Sequence, residues 1–122
     1  MGNLYRETIE YMASFGMRKE DVSEIQGVIT SFIDNHEHQQ PFRCDFETFK
    51  RAALGISYDN GFGSQEINRS LIVLFKNGSW MERWEHGGAE GWRFISPLGS
   101  KPWLPLTTDI DMIKKALYPR GL

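Results

Sequence analysis

Ser70-Leu-Ile-Val-Leu-Phe-Lys-Asn-Gly-Ser-Trp-Met-Glu-Arg-Trp-Glu-His-Gly-Gly-Ala-Glu-Gly-Trp-Arg-Phe-Ile95 carries three of the chain's four tryptophans. It reads as a three-stranded antiparallel meander. Residues 71–75 form an unbroken apolar run, the mark of a strand buried on both faces. Asn77-Gly78 follows at once, the strongest short hairpin signal, because a type I′ turn needs φ > 0 at both central residues. A two-residue turn there sets Phe75 against Trp80, Val73 against Glu82 and Leu71 against Trp84. Cross-strand partners share a face. Leu71, Val73, Phe75, Trp80 and Trp84 are therefore expected on one face with Glu82 among them, and Ile72, Leu74, Met81, Arg83 and Glu85 on the other.

The second turn leaves two registers open. A two-residue Gly87-Gly88 turn pairs Glu82 with Arg93 and Arg83 with Trp92, an ion pair and a cation–π contact. It also sets Glu85 against Glu90, a like-charge pair. A loop of three or five residues flips the parity and moves Trp92 and Phe94 to the face of Trp80 and Trp84. In either register both faces carry large apolar residues, and one layer of helices covers only one. The C-terminal segment, a second subunit or a target must close the other.

Working outward, residues 3–14 read as a helix capped by Asn3, with Leu4 or Tyr5, Ile9 and Met12 on one stripe. Gly16 suits its C-terminus. Residues 19–35 read as a second helix. Asp21-Val-Ser-Glu24 resembles a capping box, and Val22, Ile25, Ile29, Phe32 and Ile33 form its stripe. The two helices are expected to form an antiparallel hairpin. Residues 36–41 read as a polar connection. Asp45 caps a short helix with Phe46, Phe49 and Ala53 that ends near Gly55. Residues 57–64 are a loop rich in glycine and aromatics. Residues 96–105 are broken by proline and include Trp103. Thr108 and Asp111 frame a last helix over residues 109–118, stopped by Pro119.

The fold expected is α+β: an N-terminal helical hairpin plus a short helix, a three-stranded antiparallel β-meander, and a C-terminal helix. A length of 122 residues argues one domain, helical over 1–55, sheet and loops over 56–107, and helical over 108–118. The net charge of −2, with lysine and arginine scattered, lacks the basic patch of a general nucleic-acid binder. The single cysteine, Cys44, has no internal disulfide partner, which fits a reducing compartment. Residues 1–6 lack a basic start followed by an apolar core, and no run is long enough to span a membrane. A cytoplasmic protein without membrane contact is expected.

Chemistry is sparse. His36 and His38 lack helical i, i+4 spacing and a cysteine partner, so they read as a solvated helix end, and no metal or cofactor is expected. Asp45 beside Cys44 raises a thiol pKa, which argues a structural thiol. Glu82, Glu85 and His86 are the ingredients of a metal-dependent hydrolase or nuclease, but the strand Glu-x-Lys of restriction-type nucleases is absent. A structural pairing of Glu82 with an arginine such as Arg93 is the plainer account. Aromatic and arginine residues dominate binding hot spots. Tyr58, Phe62, Arg83, Glu85, Glu90, Trp92 and Trp103 are accordingly the candidate partner contacts.

Gly61-Phe-Gly-Ser-Gln-Glu-Ile67, the strand from Ser70, and Gly78-Ser-Trp-Met-Glu-Arg-Trp-Glu-His-Gly-Gly-Ala-Glu-Gly-Trp-Arg-Phe94 together resemble a family of small phage, prophage and host proteins. Their pattern is a Gly-aromatic-Gly loop, a hydrophobic strand, then Trp-Leu-Glu-Arg-x-Glu-Tyr-x-Gly-x-Glu-x-Trp. Trp80, Glu82, Arg83, Glu85, Gly88, Glu90 and Trp92 match it, and Met81, Trp84 and His86 depart from it. The resemblance spans residues 61–94 and carries no activity. It implies a phage setting, in which small proteins often inhibit host machinery such as CRISPR effectors. The expected function is non-enzymatic binding and inhibition of a host protein or ribonucleoprotein complex, as an anti-CRISPR or other anti-defence protein. A homodimer closed by the free sheet face is compatible with it.

Overall fold

The structure, a computed structural model, describes residues 2–61, 63–96 and 106–120. Asn3 opens the first helix, α1 (Leu4–Ser14), by accepting the Arg6 N–H at 3.1 Å. Its amide also donates to the Leu54 and Ile56 carbonyls at 3.0 and 3.2 Å, which ties α1 to the end of α2 (Phe46–Ala53). Leu4, Thr8 and Met12 face inward at i, i+4, i+8. Asp45 caps α2 by accepting the Thr48 N–H, and Asp109 caps α3 (Ile110–Leu117) by accepting the Met112 N–H. Two short strands, β1 (Gly2–Asn3) and β4 (Ser57–Tyr58), form a separate antiparallel pair.

The main departure from expectation lies between Val22 and Cys44. A single 3-10 turn (Lys19–Asp21) is followed by two long strands, β2 (Val22–Ile33) and β3 (His36–Cys44), not by a second helix and a polar connection. The apolar positions of β2 do fit helical spacing. Its composition is nevertheless β-branched, and Gly27 sits at its middle, both favouring a strand. Asp34 and Asn35 adopt φ of 52° and 64°, the left-handed pair of a two-residue type I′ turn.

β2 and β3 join β5 (Ile72–Phe75), β6 (Trp80–His86), β7 (Ala89–Ile95) and β8 (Leu106–Thr107) in a six-stranded sheet of order β7-β6-β5-β2-β3-β8. Every pairing is antiparallel except β3–β8. The fold is α+β, but the expected three-stranded meander is three strands of a six-stranded mixed sheet. Nor is the sheet confined to residues 56–107, since β2 and β3 fall within the stretch expected to be helical.

The β5–β6 register also differs by one residue. Lys76, Asn77 and Gly78 make a three-residue loop: the Gly78 N–H donates to the Phe75 carbonyl at 3.0 Å, and the Phe75 N–H to the Ser79 carbonyl at 2.9 Å. Gly78 has φ of 91°, the left-handed position such a loop requires. Val73 therefore pairs with Met81, and Leu74 with Trp80. Side chains alternate with period two, so this shift exchanges the faces. Leu71, Val73, Phe75, Met81 and Arg83 point toward the helices. Ile72, Leu74, Trp80, Glu82 and Trp84 point away. At the second turn Gly87 and Gly88 (φ 58° and 91°) form the two-residue connection. Glu82 pairs with Arg93 and Arg83 with Trp92. Trp92 and Phe94 thus line the helical side.

That side is the core. Ile25, Cys44, Phe49, Leu71, Val73, Met81, Ile113 and Leu117 are fully buried together there. Burial, reinforced by the Asp45 and Glu24 charges, pushes the Cys44 thiol up to about 12, as a structural thiol requires.

Candidate functional site

Pairing of β6 with β7 places Arg83 across from Trp92, its guanidinium carbon 4.9 Å from the indole centroid. The Arg83 side chain is completely buried. Its Nη2 donates to Glu90 Oε2 at 2.9 Å and to the Tyr58 hydroxyl at 3.0 Å. The Tyr58 hydroxyl donates to Glu7 Oε1 at 2.6 Å, and Asn60 donates to Glu7 Oε2 at 3.1 Å. Glu90 also accepts the Glu66 and Ile67 N–H groups at 2.7 and 3.3 Å. The Trp92 indole N–H donates to Thr8 on α1 at 3.0 Å. Burial, partly offset by the Arg83 charge, moves the Tyr58 hydroxyl above its ordinary range. This network clamps α1, Tyr58, Asn60, Glu66, Ile67 and the β6–β7 hairpin to one another.

Four of the candidate partner contacts, Tyr58, Arg83, Glu90 and Trp92, thus meet in the interior, each at most 5% exposed. Glu85 is exposed beside the Gly87-Gly88 turn and accepts the Gly88 N–H at 3.3 Å. Phe62 and Trp103 lie outside the described residues.

The hydrolase trio is not assembled. Glu82 lies on the outer face, where it accepts from Arg93 Nη2 at 2.7 Å and from the Trp80 indole at 2.9 Å. The Arg93 and Trp80 hydrogen bonds hold its carboxyl below the usual carboxylate range. Glu85 emerges on the opposite face, since three residues separate the two along a strand. His86 shares the face of Glu82 but lies about 13 Å along the strand at 3.3 Å per residue. Among the described residues no three histidine, cysteine or acidic side chains are grouped to hold a metal.

The free edge of β7 is closed. The Trp84 indole donates to the Trp92 carbonyl at 3.1 Å, the Phe94 N–H donates to Tyr11, and the Glu90 N–H donates to the Asn60 carbonyl. Such covering keeps an edge strand from pairing with another chain.

Among the described residues, the far end of β2 and β3 has no such cover. β5 follows β2 only as far as the Gln26–Ile72 pair, and β8 reaches β3 only at Arg43 and Cys44. Beyond these, the two strands run on as a ribbon paired only with each other among the described residues. Every residue from 30 to 41 is exposed. Phe32 is 71% and Ile33 57% exposed. They occupy opposite faces of the arm, Phe32 opposite Glu37 and Ile33 opposite His36. Sequence reasoning missed these residues by assigning them to the buried stripe of a helix. The β-branched run and the Asp34-Asn35 turn are the signals that could have found the arm.

Comparison with protein families, curated proteins and solved structures finds no match to this chain. No helix among the described residues is long and apolar enough to cross a membrane.

Proposed function

We propose that this chain acts without catalysis, by binding another protein through the β2–β3 arm. One observation carries this reading: a two-stranded ribbon, exposed over residues 30–41, displays Phe32 and Ile33 near its tip. Neither side chain is needed by the core, and bare strand edges with apolar residues favour association. An arm of this kind can insert its apolar tip into a cleft, or lend a strand edge to a partner's sheet. Glu85, exposed beside the Gly87-Gly88 turn, is a secondary contact.

The resemblance of residues 61–94 to small phage and prophage proteins supplies the class of partner: a host protein or ribonucleoprotein complex in the cytoplasm. Binding would inhibit it, in the manner of an anti-CRISPR or other anti-defence protein. The small net charge is consistent with contacts to protein rather than to nucleic acid.

The test is affinity purification from host lysate with the tagged wild-type chain and a Phe32→Ser/Ile33→Ser variant side by side. A stoichiometric partner retained by the first and lost by the second is expected. A partner held equally by both would remove the arm from the interface. No partner for either would overturn the binding reading.

A further inference from the structure

We propose that His36 and His38 form one half of a zinc-class cation site, and that a second copy of this chain supplies the other half. Spacing that is wrong for a helix is right for a strand. Both histidines lie in β3, where residues i and i+2 emerge on the same face. Their Cα atoms are about 6.6 Å apart at 3.3 Å per residue, close enough for both imidazoles to reach one ion at the usual 2.0–2.1 Å. Both are exposed, and their cross-strand neighbours, Ile33 and Ser31, bring no charge to that face. Glu37 projects to the opposite face with Phe32.

The donor set decides both cation and stoichiometry. Imidazole nitrogens without carboxylate select zinc, copper or nickel over magnesium or calcium. Two imidazoles are half of a tetrahedral set, and no third histidine, cysteine or acidic ligand is grouped with them among the described residues. A two-fold axis through the ion joins two identical pairs into a four-nitrogen site, because a C2 contact brings the same patch from both copies. Ile33, 57% exposed and opposite His36, gives the paired arms an apolar contact beside the ion. The site uses the face of the arm that bears Ile33, so dimer and host partner would share Ile33, while Phe32 on the other face stays available to the host partner.

The test is sedimentation of the untagged chain with zinc chloride and with EDTA, together with zinc titration by calorimetry. The expected result is a dimer in zinc, a monomer in EDTA, and one ion per two chains. His36→Ala and His38→Ala should each abolish the zinc-dependent dimer. His86→Ala, which removes the third histidine of the chain, should keep it. All three positions are exposed, so circular dichroism should be unchanged. A monomer in zinc, one ion per chain without association, or a dimer that survives His36→Ala and His38→Ala would each overturn the proposal. None of these outcomes depends on whether the chain binds a host protein.

Discussion

Arg83 and Glu90 form an ion pair with side chains 0% and 1% exposed. Taking two charges out of water is costly, and the Nη2–Oε2 contact offsets this only with further hydrogen bonds. Glu90 has them from two backbone N–H groups, and Arg83 has Tyr58 and the Trp92 face. Among the described residues Nε and Nη1 of Arg83 have no hydrogen-bond partner, so the guanidinium depends heavily on Glu90. Glu90→Gln should therefore destabilise the fold by about 3–5 kcal/mol, the range for removing one partner of a buried pair. Urea unfolding followed by tryptophan fluorescence measures it, and a loss below about 1 kcal/mol would show that the pair contributes little. The exposed-side pair Glu82–Arg93 is different. With Arg93 58% exposed, its contribution belongs to the range of about 0–1 kcal/mol for surface pairs.

At the scale of elements, the three helices were legible because their end signals are local, although Asp109 and not the expected Thr108 caps the last one. Asn3, Asp45 and Asp109 each accept an N–H three residues ahead. β2 was not legible, because its identity depends on β3 and β5 beside it. Gly27 shows the dependence. A Cβ added there would lie 2.7 Å from the buried Phe42 ring, its cross-strand partner. Glycine in a strand is ordinarily unfavourable, so Gly27→Ala would otherwise be expected to help. Here it should cost about 1–3 kcal/mol through overpacking. Chemical denaturation checks the sign, and a stabilised variant would mean that Phe42 moves aside freely. The β5–β6 loop makes the same point on a smaller scale. Asn77-Gly78 announces a hairpin, but Gly78 serves a three-residue loop as well as a two-residue one. That single residue decides whether Trp80 or Met81 enters the core.

At the scale of the molecule, α1, α2 and α3 cover one face of the sheet, and the arm extends past the body. Shortening the arm by replacing residues 31–38 with Asn-Gly joins Thr30 to its cross-strand partner Gln39 through a favoured turn. Because residues 30–41 are all exposed, the shortened chain should unfold within about 0.5 kcal/mol of the wild type. Loss of cooperative unfolding would instead mean that the arm supports the core. The Asn3 and Asp45 helix caps and the hairpin between β6 and β7 follow from sequence alone, because each rests on residues close together in the chain. The choice between the hairpin's two registers, made by the Glu82–Arg93 and Arg83–Trp92 pairs, does not. Tertiary structure alone decided that residues 22–33 are a strand, that Trp80 and Trp84 face outward, and that Phe32 and Ile33 stand exposed. The strand identity of residues 22–33 depends on pairing with β5, tens of residues away, and the outward face of Trp80 and Trp84 on a one-residue shift at the β5–β6 loop, which reverses every side chain along the strand.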